Sequence, residues 1–199
     1  MRVSHDRNQQ RSAQMWKQKL IVLTLLCCVV LIATMLIGLV IASSLGPMWH
    51  LFHSGSITFQ EWIIPVPERF FLRQEGAVPV LWKLGFGVPI WDAPRGQIRL
   101  YNWEGGLRFQ FDSHYGRFVN QASADAADRG FRFLAEKRIV VDNTPGYCLE
   151  FVSKSKNSRI DVICTIEESG VSVWYVGDSL FVDDFWGVLQ GMSLTQEQR

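Results

Sequence analysis

The chain has 199 residues, 48% of them apolar, enough for one domain with a real core and little more. Its formal net charge of +1 excludes the global basic field of a nucleic-acid binder. The charge is unevenly spread, and that asymmetry says more than the sum.

Residues 1–19 carry Arg2, Arg7, Arg11, Lys17 and Lys19 against one acid, Asp6. Residues 20–45, LIVLTLLCCVVLIATMLIGLVIASSL, contain no charge. A helix of about 25 residues spans roughly 37 Å, more than the ~30 Å hydrocarbon core of a bilayer. No Lys or Arg follows until Arg69. Basic residues at one end keep that end in the cytoplasm. The expectation is a single span through the inner (cytoplasmic) membrane, lipids around the anchor, and an extracytoplasmic (periplasmic) domain. Trp16 and Trp49 bracket the run and are expected at the headgroup level. The rival reading is a cleaved signal peptide with Ala42-Ser43-Ser44 as its small-residue site, but a signal core is about 7 to 15 residues and this run is longer. Either way the rest of the chain is exported. Cys27 and Cys28 are read as small apolar side chains of the span.

Residues 46–96 form a membrane-proximal arm. Its first part, GPMWHLFHSG, leaves the membrane and holds His50 and His53, a pair without an acid or cysteine nearby to complete a metal set. From residue 56 to 96 there are five prolines and three tryptophans. Prolines at this density block long regular elements, yet the stretch is too apolar for a solvated linker. It either pads its own domain as short edge strands or lies along a neighbouring subunit. Trp62, Trp82, Phe86 and Trp91 are the candidate partner-binding residues. Gly85-Phe86-Gly87 lacks the Lys-Ser or Lys-Thr of a phosphate loop.

The exported domain is expected over residues 97–193. Residues 97–111, QIRLYNWEGGLRFQF, read as a hairpin turning at Glu104-Gly105-Gly106. Residues 120–129 read as a short helix started by Asn120 or Ser123 and stopped by Gly130. Strands follow over 131–141, 147–152, 159–166 and 171–176. Residues 179–193 close with a helix capped by Ser179 or Asp183, and 194–199 form a polar tail.

Cys148 and Cys164 flank a polar turn. With the turn centred on Lys156, opposed residues have numbers summing to a constant: Val152 faces Ile160, Glu150 faces Val162 and Cys148 faces Cys164. Directly opposed Cα atoms are about 4.5–5.5 Å apart, within disulfide range. A slip of two places Cys148 opposite Val162 or Ile166 instead. The expectation is a structural disulfide, with two free buried thiols as the alternative. The next hairpin, near Ser169-Gly170, puts Val171, Val173 and Tyr175 on the face of Cys164 and Ile166. Leu149, Phe151, Ile163, Trp174 and Val176 take the other. Both faces are apolar, so the sheet is expected to be covered on both. The last helix can cover one; the 120–129 helix or the arm can cover the other.

In order come a hairpin, a short helix, an antiparallel run around Pro145-Gly146-Tyr147, a tight strand pair, and a closing Asp184-Phe185-Trp186-x-x-Leu189 helix. This order resembles the PsbP-like α/β/α sandwich over about residues 97–193. The resemblance implies a non-catalytic exported module attached to a membrane complex, in several members a photosynthetic one. It supplies no catalytic residues, and a helical anchor departs from the family's usual soluble or lipid-linked form.

The residues themselves point to little chemistry. Asp112 and His114 lie two apart without a third partner. Gly170-Val171-Ser172-Val173-Trp174 lacks the second glycine of a serine-hydrolase elbow. Lys154, Lys156 and Arg159 make a small basic loop tip, by default solvated, that can touch anionic headgroups or a partner. The fold expected is α+β: an N-terminal transmembrane helix, then an exported domain with a mainly antiparallel sheet flanked by helices. The function expected is a non-catalytic accessory or scaffolding subunit of a larger membrane complex, photosynthetic or electron-transfer, without cofactor, metal or nucleic acid. Its partners are the membrane and the other protein subunits of that complex. The alternative is an anchored envelope enzyme, or a ligand-binding or sensor domain.

Overall fold

The structure is a computed structural model that describes residues 3–83, 95–155 and 158–195. Its longest element is the helix α1, Val3–Phe52. Within it, Lys19–Gly38 is long and apolar enough to cross a membrane, and none of that stretch is buried against the rest of the protein. Such a helix fits a membrane anchor or a signal sequence. Trp16 stands 74% exposed beside it.

The helix does not end where the apolar run ends. It continues through Gly46 and Pro47 to Phe52, because its last turns pack on the domain. Gly46 is buried, and a Cβ there would come 2.7 Å from the carbonyl oxygen of Glu68. His50 Nε2 lies 3.0 Å from the carbonyl of Pro67. Trp49, expected at the headgroups, packs half-buried against the domain core. Tertiary contact has overridden the loop signal of Gly46-Pro47.

The arm joins the domain rather than standing apart from it. Strands β1 (Ser56–Phe59) and β2 (Trp62–Pro65) form an antiparallel hairpin, joined by β10 (Ser193–Leu194) on the far side of β2. Alternation explains the inward set: Trp62 and Ile64 are buried, while Ile63 between them faces out. Leu194, expected in the polar tail, is therefore a strand residue. Residues 196–199 lie outside the described residues.

Strands β3 (Phe71–Glu75), β4 (Val78–Lys83), β5 (Gly96–Asn102), β6 (Phe131–Val141), β7 (Thr144–Ser153), β8 (Arg159–Ile166) and β9 (Val171–Asp178) form one seven-stranded sheet. The order is β3-β4-β5-β9-β8-β7-β6, antiparallel throughout. The boundary expected at residue 96 thus falls inside one sheet. Of the two fates open to the arm, its described strands pad their own domain, β1 and β3 at sheet edges and β2 and β4 flanked on both sides.

The hairpin expected over 97–111 does not form. The two sides of β5 are taken by β4 and by the distant β9, with Leu100 opposite Val173. After β5 the chain makes a 3-10 turn, Trp103–Gly106, and Phe109 is drawn into the core. Its backbone is satisfied by the β8–β9 turn: the Phe109 N–H donates to Ser169 O at 2.8 Å, and Glu168 N–H donates to Phe109 O at 2.6 Å. The helix that follows, α2, runs Phe111–Asp128, much longer than the Ala-rich stretch suggested. Phe111, Tyr115, Phe118, Ala122 and Ala126 make one apolar stripe at helical spacing, so the helix starts well before Asn120. Gly130 does stop it, at φ +80°, where a side chain would be strained.

The two cores sit on opposite faces of the sheet. One gathers Val162, Cys164, Ile166, Val171, Val173 and Tyr175 under the helix α3 (Val182–Gly191), through Phe185, Val188 and Leu189, and under Trp62 and Ile64 of the small sheet. The other gathers Tyr147, Leu149 and Phe151 under α2. Each fully buried large apolar side chain contributes roughly 1.5–3 kcal/mol. Neither Ser179 nor Asp183 caps the closing helix; Phe181 precedes it and makes no side-chain cap.

Candidate binding face

Helix α2 lies over β6 and β7. On the same face α2 borders β9 at a recess beside Trp174, and among the described residues no other helix covers β5 and β4. Period-two alternation selects what they display. Trp174 lies opposite Arg99, Arg99 opposite Val80, and Val80 opposite Arg73; Val176 lies opposite Gln97, and Gln97 opposite Trp82.

These side chains cover the sheet themselves. The Arg73 guanidinium lies 4.5 Å from the Trp82 ring centre. Trp174 is contacted from two sides, by Arg129 at 4.4 Å and Arg99 at 5.7 Å, with Tyr101 at 5.8 Å along the same row. Arginine over an aromatic face keeps its charge solvated while its stem covers apolar surface. Arg99 also pairs with Glu75 at 3.3 Å, half-exposed. Asp161, only 1% exposed, sits behind Trp174. It accepts the Trp174 indole N–H and pairs with Arg129 at 2.6 Å. Burial raises its carboxyl above the ordinary carboxylate range, and the indole N–H and Arg129 pull in the other direction.

Two recesses open beside Trp174. One, about 340 Å³, is lined by Tyr101, Trp103, Phe118, Ala122, Ile163 and Trp174. Ser172 also borders it. The buried Trp103 Nε1 and Ser172 Oγ make no hydrogen bond to another described protein group. The other, about 550 Å³ and more polar, is lined by Arg99, Arg129, Arg159, Ser153, Ser155 and Trp174 among others. Arg99 Nε is buried there without an acceptor among the described residues. Apolar walls with a few convergent polar groups suit binding and orientation.

The histidines and acids weighed from sequence are engaged elsewhere. His114 Nδ1 accepts the Gln110 N–H at 3.0 Å, and its ring lies against Trp103 and Phe109 at the start of α2. Asp112 stands exposed on the first turn of that helix. His50 holds the Pro67 carbonyl, while His53 stacks on Trp49 with ring centres 4.4 Å apart. Among the described residues, no group of three or more His, Cys, Asp or Glu is placed to hold a metal ion.

The candidate partner residues separate. Trp62 is 1% exposed and donates its indole N–H to Ser169 Oγ at 3.1 Å, so within the chain it is a core residue. Trp82 is on the open face under Arg73. Phe86 and Trp91 lie outside the described residues. Cys148 and Cys164 face each other in the register expected, with Cα atoms 4.1 Å and sulfur atoms 2.02 Å apart. The centre of the open face, Trp174 with Arg99, Arg129 and Asp161, was missed from sequence. The alternation Ile98-Arg99-Leu100-Tyr101 carried a signal, because it puts Arg99 and Tyr101 on one face of a central strand.

No protein-family model matches this chain, and no curated protein matches it. Among solved structures it is similar to cyanobacterial PsbP (CyanoP) from Synechocystis sp. PCC 6803. The two share 14% identity at a TM-score of 0.45, over 70% of this chain and 91% of that one. The likeness is one of fold, and no site residue is carried across from it.

Proposed function

We propose that this protein is a single-span accessory subunit of a membrane complex, whose exported domain binds a partner protein without chemistry of its own. The observation that carries the reading is the half of this face that no described helix covers, where Trp82, Tyr101 and Trp174 lie among Arg73, Arg99 and, from the end of α2, Arg129. Aromatic and arginine side chains are the types enriched at the centres of protein interfaces. The apolar, uncharged stretch of α1 supports anchoring, and the basic residues before it support a cytoplasmic N-terminus with the domain outside the inner membrane.

The test is a photoreactive amino acid placed at Tyr101 or Arg73 of the full chain in native membranes, with Arg117 on α2 as the comparison site. The expected result is an adduct to a membrane-complex subunit from Tyr101 and Arg73 and none from Arg117. An intact, inserted chain that gives no adduct from the open face would overturn the reading. A second reading, a small-ligand domain, is favoured by the recess at Trp103 and Ser172. Its distinguishing result is a low-mass compound retained by the purified chain and lost in Ser172→Val.

A further inference from the structure

We propose that the recess lined by Arg99, Arg129 and Arg159 holds the anionic headgroup of a membrane lipid. This goes beyond the partner-binding reading: it rests on α1 being the membrane anchor but not on a protein partner at the open face.

Strand register locates the recess. β5 begins at Gly96, opposite Lys83 on one side and Gly177 on the other. Arg159 is opposite Asp178, and Phe131 opposite Ser153. Trp82, beside Lys83, faces Phe71, the first residue of β3. All these positions therefore mark one end of the sheet. It is the end where the anchor joins, since the residues just before β3 receive α1: Pro67 through His50, and Glu68 against Gly46. Gly46 directly follows the uncharged run of residues 20–45. Arg95 is at this end too, its N–H donating to Lys83 O and its carbonyl accepting from Asp178 N–H. So is Lys154, whose N–H donates to Gly130 O. The recess is thus at the end of the domain nearest the polar boundary of a bilayer.

The chemistry of the lining fits a phosphate group. Three arginines line it, Arg99, Arg129 and Arg159, beside Ser155 and Gln97, whose Oε1 already accepts from Arg99 Nη2 at 3.3 Å. Guanidinium–phosphate hydrogen bonds are charge-assisted and are the strong kind. The carboxylates around the recess offset two of its three charges, since Asp161 pairs with Arg129 and Glu75 with Arg99. Asp161 is buried behind Trp174 and engaged by Arg129. Glu75 takes one edge of Arg99 and leaves Nε without an acceptor among the described residues. Arg159 has no ion pair among the described residues, although Asp178 is its strand neighbour. Trp174 and Phe131 supply apolar walls against which glycerol and the first acyl carbons can rest. A soluble phosphate ester has the same head chemistry; position at the anchor end favours the lipid.

The test uses the full chain in mild detergent, titrated with phosphatidylglycerol or phosphatidylcholine and read by native mass spectrometry. A third arm adds inorganic phosphate alone. The expected result is retained phosphatidylglycerol, with affinity falling by about tenfold or more in the Arg99→Gln/Arg159→Gln double variant. Arg159→Lys recovers part of the loss, and Arg138→Gln at the other end of the domain leaves binding unchanged. Thermal unfolding of each variant separates lost binding from lost folding. Equal retention of both lipids, an equal loss in Arg138→Gln, or saturation by inorganic phosphate that displaces no lipid would each overturn the proposal. So would a double variant that folds and still prefers phosphatidylglycerol.

Discussion

Reducing the Cys148–Cys164 bond tests the register and the energetics together. The two cysteines are 16 residues apart in sequence and 0% exposed, in the core beneath α3. Cross-linking a loop of that size removes unfolded-state entropy worth about 3 kcal/mol in the chain-entropy model. Reduction keeps both sulfurs in place, so it opens no cavity and isolates that loop term. Cys148→Ala/Cys164→Ala removes the sulfur volume as well and should cost more. The assay is urea unfolding of the full chain in mild detergent, followed by tryptophan fluorescence, with and without reductant. With a slope of about 1–3 kcal/mol per molar urea, 3 kcal/mol lowers the midpoint by roughly 1–3 M. Alkylation and peptide mapping report the state of each thiol, with Cys27 and Cys28 as internal positives. Coincident oxidised and reduced midpoints, or full labelling of Cys148 and Cys164 in the unreduced unfolded protein, would refute the reasoning.

Two further outcomes follow from local geometry. Gly46→Val puts a branched Cβ 2.7 Å from the Glu68 carbonyl oxygen, so the helix end must lift from the domain at a cost of about 1–3 kcal/mol. Hydrogen exchange should speed up at the Val66 and Phe70 amides and stay unchanged in β7–β9; uniform protection would contradict the close approach. Asp161 titrates above its ordinary value of 3.8 in the folded state, mainly through burial, so the native state takes up its proton at higher pH than the unfolded chain. Stability from this group therefore rises as pH falls through the folded pKa and levels off below the unfolded one. Asp161→Asn removes that rise, and unfolding measured from neutral to acid pH should show the wild type gaining on the variant; a constant difference would contradict the assigned cause.

Much of the second half of the fold was legible because its determinants are local. Side chains along strands β6 to β9 alternate between faces, and a turn centred on Lys156 puts Cys148 opposite Cys164, the register that the structure takes over the two-residue slips. The same alternation separates Cys164, Val173 and Tyr175 from Leu149, Phe151 and Ile163, which the structure places in two cores on opposite faces. Where the reading failed, the competing partner was remote. Gly105-Gly106 promised a hairpin, but β5 pairs with β9, some seventy positions away in the chain, and with β4. Asn120 suggested a helix start, but Phe111 and Tyr115 extend the helix because Tyr147 offers them rings to pack on.

The candidate site was less legible for the same reason. Arg73, Arg99, Arg129 and Trp174 come from β3, β5, the end of α2 and β9, and nothing local in sequence links them. Trp62 was a candidate partner contact because it lies in the apolar, Pro- and Trp-rich arm; its burial comes from α3 and the β8–β9 turn. The sequence by itself determined the apolar helix, the alternating strands and the opposed cysteines, because hydrophobic periodicity and turn length act over a few residues. Only the tertiary structure decided that the arm joins the sheet, and that α2 covers one half of a face and leaves the other half to arginine and tryptophan. Those outcomes depend on which distant segments compete for the same edge and the same apolar surface, and only the folded chain brings them together.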